Sequence, residues 1–344
     1  MSMIAKLNRH FDEVAHTHEN PKTVEVARSM MIGYYDRWEK EDAKTKVRGI
    51  EVPFCVELPV PDDLPPWVKP SKPRYVGGII DSIIERDGIM MATDMKTASR
   101  VTESYWTELN TNPQLTQYAF AMYAAGYERV GFIWDVVLKG DLVQKKLSKA
   151  AIADINAGNY CGWPVDVDVP EDGVESNRLY GLRLLSWYME NPQKYERRFA
   201  YRTESDLLGY VYNEHCTQSE MGLCAVRGGD RSWSCKNFGA CHSYGTMCDY
   251  YSLCLGNNPE MLGFQPRKKR DGVPDLGITP SQSKCFNTCR QQWLYKYGKY
   301  RIEPIVKPKS VALDLGTLCH NARELILAAR LENPIVLPLE LGGA

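Results

Sequence analysis

The segment YVGGIIDSIIERDGIMMATDMKTAS, residues 75–99, constrains the fold more than any other part of the chain. Two β-rich runs, Tyr75–Ile84 and Ile89–Thr97, flank Asp87–Gly88, a dipeptide suited to the positive φ that both positions of a two-residue hairpin loop require. With that loop Arg86 pairs with Ile89, and paired positions sum to 175. Asp81 then stands opposite Asp94, with Cβ atoms about 4.5–5.5 Å apart. Lys96 shares the face of Asp94, because side chains alternate along a strand. Opposed carboxylates repel unless a cation lies between them, and a divalent metal with an adjacent lysine balances the charge. Carboxylate oxygens are hard ligands suited to Mg²⁺ or Mn²⁺. An ion held there polarises a phosphate and acidifies a bound water, and Lys96 can orient that water or neutralise developing charge. The plain alternative is an exposed hairpin face with an ordinary Asp/Lys pair, and one residue more in the loop would break the register.

Around this hairpin the pattern predicts a mixed α/β core. Residues 1–45 read as helix, with apolar residues of VEVARSMMIGYYDRW at helical spacing. A strand follows near Gly49–Leu58, then the proline-rich loop PVPDDLPPWVKPSKP, which no helix or inner strand tolerates. Asn112–Pro113 starts a helix that runs to Gly126, and Val130–Leu138 is an apolar strand. Helical patterns recur at Glu175–Phe199, Ser281–Tyr300 and Ala312–Leu331, while residues 256–279 have linker composition. Gln114 and Tyr118 fall on one face of the Asn112–Gly126 helix, where amide and hydroxyl can reach a phosphate or a flipped base; tyrosine at that spacing is equally a core residue.

With 44% hydrophobic residues, 25% charged residues and a net charge of −1, the chain is neither disordered nor a bulk polycation. No apolar run reaches the ~18–20 residues of a membrane span and the start lacks a signal-peptide core, so a soluble, cytoplasmic protein is expected. The basic clusters Lys145–Lys146 and Arg267–Arg270 read first as solvated loops. Of eleven cysteines, eight fall within the 74 residues from Cys216 to Cys289. Cytosolic thiols stay reduced, so this density points to a metal or cluster site rather than disulfides.

GGIID with Asp81, the Asp94–Met95–Lys96 triplet and Gln114-x-x-x-Tyr118 together resemble motifs II, III and IV of the RecB-like branch of the PD-(D/E)XK nuclease superfamily. The resemblance implies a restriction-endonuclease-like core, a mixed central sheet flanked by helices, with a helical cysteine-rich subdomain. It implies that Asp81 and Asp94 bind Mg²⁺ or Mn²⁺, that Lys96 is catalytic, and that Gln114 and Tyr118 contact DNA. Glu51 resembles the acid that often precedes the metal hairpin. The family's first motif, a Cys…Trp…Tyr helix followed by Gly and a metal-binding His, is missing from residues 1–50. Its parts occur instead as Cys289, Trp293 and Tyr297, then Gly316–Thr317 and His320.

The departure is one of order. Residues 280–344 would be a permuted front segment that completes the domain of residues 1–255, with 256–279 as linker; the competing reading is a second, truncated copy. In the iron–sulfur subgroup of this family (the Cas4, AddB and Dna2 types) one front-helix cysteine and three rear cysteines hold a [4Fe–4S] cluster. Carried over, these are Cys289 with Cys241, Cys248 and Cys254, Cys235 being an alternative for the first of the trio. Four thiolates hold Zn²⁺ equally well. The implied activity is a metal-dependent DNase, an exonuclease on single-stranded DNA or DNA ends. Its setting would be recombination, repair, phage replication or CRISPR adaptation, with a possible helicase or recombination partner. The rival is a non-catalytic cluster-bearing or zinc-bearing DNA-binding module on a nuclease scaffold.

Overall fold

The structure is a computed structural model that describes residues 2–227, 236–245, 247–258, 260–268, 277–305 and 310–339. Its centre is a five-stranded mixed sheet of β1 (Lys46–Glu57), β2 (Tyr75–Arg86), β3 (Ile89–Ala98), β4 (Val130–Leu138) and β5 (Tyr195–Tyr201), in that spatial order. All neighbours are antiparallel except β3 and β4. A parallel pair needs a crossover, and helix α3 (Pro113–Ala124) lies on it, capped by the Asn112 side chain with Pro113 at its first position.

The β2–β3 loop is the expected one. Asp87 and Gly88 have φ of +52° and +73°. The ladder runs from Arg86↔Ile89 to Ser82↔Thr93, every pair summing to 175. It stops one position before Asp81 and Asp94. Beyond that point β2 stays with β1, as in Val52↔Ile80, and β3 follows β4, as in Asp94↔Trp134. The strands part where two like charges would otherwise be held face to face, and the gap becomes the floor of a cleft.

One face of the sheet packs on α3 through Phe54, Ile80, Phe132, Ala119 and Met122. The other is covered by α2 (Pro21–Asp42), α4 (Asn177–Glu190) and α8 (Val311–Ala328), around Met31, Tyr188, Leu318 and Cys319. Ahead of α2 lies α1 (Met3–Ala15), whose Leu7 and Phe11 join that core. Chain beyond α8 covers the outer edge of β1: Glu332 N donates to Val47 O at 2.9 Å and Cys55 N to Pro338 O at 2.8 Å. Edge strands invite unwanted pairing, and this one is closed by the protein's own tail.

One expectation fails. The helix anticipated over Glu175–Phe199 ends at Glu190, and Tyr195–Tyr201 is β5, antiparallel to β4. Asn191–Pro192 stops the helix, because a proline disfavours the α conformation of the residue before it. Along YERRFAY, Tyr195 and Ala200 are buried while Arg198, Phe199 and Tyr201 are exposed, as befits the edge strand the sheet order makes it.

The cysteine-rich region begins on α5 (Glu204–Arg227), against which α6 (Pro280–Thr288) and α7 (Arg290–Lys296) pack through Met221, Phe286, Trp293 and Leu294. The single helical stretch anticipated at Ser281–Tyr300 is broken at Cys289, which is extended with φ −157° and ψ 111°. Within residues 256–279, β6 (Phe264–Pro266) pairs with β7 (Ile302–Pro304). Gly277, at φ +96°, passes so close to β2 that a Cβ would lie 2.8 Å from Gly77 N. Tyr250, Tyr295 and Phe264 stack with centroids 5.6–5.7 Å apart, a small core separate from the sheet. No helix of the described residues is long and apolar enough to cross a membrane.

Candidate active site

Asp94 is 1% exposed at the cleft floor. Its Oδ2 lies 2.7 Å from Lys96 Nζ and accepts from Gln114 Nε2 at 3.4 Å. Its Oδ1 is buried with no hydrogen-bond partner among the described residues. Leaving a carboxylate oxygen unpaired in a dry place is costly unless a cation is to be received there. Gln114 Nε2 also donates to Tyr118 Oη at 2.8 Å, and Tyr118 Oη donates to Ile79 O at 2.9 Å. Tyr118 is 4% exposed, so its ring is core and its hydroxyl braces Gln114.

The second carboxylate, Asp81, is pushed up to about 6 by burial and then by the Asp94 charge, despite relief from Lys96 and His320. Lys96 moves the other way from most buried lysines. Burial lowers its pKa, but the adjacent Asp94 outweighs burial and holds the ammonium above its ordinary value. A third acid enters from β1. Ile50 pairs with Ser82 and Val52 with Ile80, so Glu51 stands opposite Asp81. Glu51 has φ +48°, a left-handed conformation unusual for a non-glycine residue within a strand.

Helix α8 brings His320 and Glu324 to the same place, one turn apart. His320 Nε2 is 3.1 Å from Glu51 Oε1 and 2.9 Å from Glu324 Oε1, and Nδ1 is 3.8 Å from Asp81 Oδ2. The hydrogen bond with Glu51 raises the imidazole pKa, against burial. Among the described residues, Glu51, Asp81 and His320 are the one group of three ligand atoms within 4.8 Å of one another. Three oxygen or nitrogen donors form a donor set suited to a hard divalent cation; Asp94 falls outside this group, although its charge is felt by Asp81.

The sequence motifs do not include the residues that hold α8 there. Arg323, one turn beyond His320, donates to Thr93 Oγ1 at 2.6 Å, and Thr93 is hydrogen-bonded to Ser82. Thr93 precedes Asp94 and Ser82 follows Asp81, so one arginine ties the helix to both strands directly behind the acids. Arg323 also reaches Asp135, which accepts from Tyr34 and Arg197 as well. The available signal was an aspartate inside the apolar run GFIWDVVL, since a charge buried in a strand needs partners.

The cysteines lie on the tail side of the molecule. Cys248 N donates to Cys241 O at 2.8 Å, Cys254 ends a short helix, and Cys289 joins α6 to α7. Burial lifts the Cys254 thiol to about 11, with Cys248 and Cys289 adding to the effect. Cys285 is likewise pushed up to about 11 by burial and feels Cys289 and Cys248. These thiols therefore share a neighbourhood, but among the described residues they form no group with every sulfur within 4.8 Å. Cys235 lies outside the described residues. Cys319 is fully buried and belongs to the core.

No match was found among curated proteins or among solved structures. The family profile of the PD-(D/E)XK nuclease superfamily matches residues 3–254, which include Glu51, Asp81, Asp94, Lys96, Gln114 and Tyr118 and leave out the tail that carries His320. A match over so much of the chain, with the split β2–β3 hairpin at its centre, shows that this protein belongs to the PD-(D/E)XK nuclease superfamily.

Proposed function

We propose that the protein is a metal-dependent deoxyribonuclease, acting exonucleolytically on single-stranded DNA or DNA ends. The observation that carries the reading is the Glu51–Asp81–His320 group together with the buried Asp94, whose Oδ1 has no partner among the described residues and whose charge reaches Asp81. Asp81, Asp94 and His320, with Glu51, would hold Mg²⁺ or Mn²⁺. A bound ion would polarise the scissile phosphate and acidify the attacking water. Lys96, kept charged by Asp94, cannot take a proton; its role is to steady negative charge developing on the phosphate. Gln114 orients Asp94, and Tyr118 orients Gln114. Because Asp81 and His320 must give up protons to bind a cation, metal affinity weakens as pH falls: the imidazole, held above its ordinary value by Glu51, is the first to keep its proton, and Asp81, pushed up to about 6, follows.

The tail supports a second part of this reading, that residues 280–344 are a permuted front segment completing the domain of residues 1–255. His320 reaches the acids only from α8, and α8 packs into the same core as α2. A truncated second copy would leave the core intact when residues 280–344 are deleted; permutation predicts joint loss of metal binding and solubility. The resemblance to the iron–sulfur subgroup and the shared neighbourhood of Cys241, Cys248, Cys254 and Cys289 support a [4Fe–4S] cluster that staples tail to core. Anaerobically purified protein should be brown, and Cys289→Ala should abolish its visible absorption. A colourless protein with stoichiometric zinc would overturn the cluster.

The activity is tested by incubating the protein with labelled single-stranded DNA and Mn²⁺. Cleavage should fall by on the order of 10²–10³-fold in Lys96→Ala. If the anaerobic wild type does not cut while still binding DNA, the protein is a binding module on a nuclease scaffold.

A further inference from the structure

The cleft above Asp81 has a volume of about 990 Å³ and two unlike walls. One is the acidic centre on β1, β2, β3 and α8. The other is built by the tail: Arg267 follows β6, Arg301 precedes β7, and Lys296 and Tyr297 close α7. Arg267 N donates to Arg301 O at 2.8 Å, a backbone bond that holds the two arginines side by side. The Arg267 guanidinium sits 4.4 Å from the Tyr297 ring centroid and Lys296 Nζ 5.4 Å from it, so one aromatic ring sets the direction of two cations. Among the described residues no carboxylate pairs with Arg267, Lys296 or Arg301.

Three cations that pair with no carboxylate among the described residues, lining the same cleft as Asp81 and Glu324, are poorly explained as solvated surface. Their side chains could fold toward those acids or into water, yet the hairpin and the ring hold them on the opposite wall. An acidic centre repels a polyanion, and a substrate with a phosphate backbone reaches it only if charge of the other sign lines its path. The volume lies at the upper end of the ~300–1,000 Å³ of small-molecule pockets. It has room for a few nucleotides of one strand.

We propose that Arg267, Lys296 and Arg301, directed by Tyr297, form a phosphate-binding wall that seats the backbone of one nucleic-acid strand across the cleft from the acidic centre. The proposal rests on the nuclease reading above and adds to it the residues that choose a single strand. The binding energy comes from counterion release, so it weakens with salt in proportion to the phosphates neutralised.

The test is fluorescence anisotropy of a short labelled single-stranded oligonucleotide in EDTA, where nothing is cut, across a salt series. Arg267→Gln, Lys296→Gln and Arg301→Gln should each weaken binding and flatten the plot of log K against log salt by roughly 0.7. The triple variant should lose the three increments together. Arg301→Lys keeps the charge and should keep the slope, which separates charge from shape. A triple variant with an unaltered circular dichroism spectrum and unchanged affinity and slope overturns the proposal. So does equal weakening of blunt-duplex and single-strand binding. The two readings fail differently. Wild-type protein that binds with the expected slope but never cuts in Mn²⁺ sinks the nuclease and leaves the wall. Cleavage with unaltered binding in the triple variant sinks the wall and leaves the nuclease.

Discussion

Two aspartates, each 1% exposed, sit on neighbouring strands and face opposite sides of the sheet. Asp135 on β4 is saturated. It accepts from Tyr34 Oη at 2.6 Å, from Arg197 Nε at 2.6 Å and Nη2 at 3.1 Å, and from Arg323 Nη2 at 3.3 Å. Asp94 on β3 has Lys96 and Gln114 on one oxygen and nothing on the other. Equal burial with unequal satisfaction separates a carboxylate that completes the structure from one kept for a visitor. Glu214 on α5 is a third case: buried, with a hydrogen bond from Ser283 Oγ at 3.2 Å, another from Gln218 and no cation beside it among the described residues, it is pushed up to about 7 by burial.

The contrast is broken or sharpened by mutating each acid. Asp135→Ala should cost about 3–5 kcal/mol in urea unfolding, because it takes from the buried Arg323 its carboxylate and leaves Arg197 to Asp42 and Glu41. A loss under 1 kcal/mol would show that water already enters the network and that Asp135 is no anchor. Asp94→Asn should leave stability in EDTA unchanged, since Lys96 is 42% exposed and can turn to solvent. Wild type should gain about 2.7 kcal/mol from Mn²⁺ at a hundred times its Kd, and the variant should lose that gain. A clear drop in metal-free stability would make Asp94 as structural as Asp135.

Glu214→Gln should have the smallest effect and a pH dependence of definite sign. The native state holds this proton more tightly than the unfolded chain, so wild-type stability falls as pH rises from 4.5 to about 7. Gln abolishes that fall and should stabilise by about 2 kcal/mol at pH 8, with no gain below pH 4. This is less than the ~3 kcal/mol the pKa change implies, because the amide must also be buried. A gain that is constant across pH would mean that Glu214 does not titrate in this range.

Much of the site was legible because its centre is local. Asp87–Gly88 sets a register that relates Asp81 to Asp94 over thirteen residues, and i, i+4 spacing relates Gln114 to Tyr118 through the pitch of one helix. The misread stretch is equally instructive. Helical periodicity runs on through residues 191–199 although Asn191–Pro192 marks the helix end, and the edge strand β5 mixes buried and exposed residues too irregularly to announce itself. Glu51 was visible as an acid, but not its left-handed backbone within β1.

The amino-acid sequence alone determined strands β1 to β4, the hairpin register, the pairing of acid with lysine and the family those features resemble, because each is written in spacings of a few residues. Only the tertiary structure decided that His320 meets Glu51 from 269 positions away, that Arg323 ties α8 to Thr93, and that the tail turns three cations toward the acidic centre. Such contacts follow from how helices and strands pack their apolar faces together. Packing is a property of the whole core, and no window of sequence contains it.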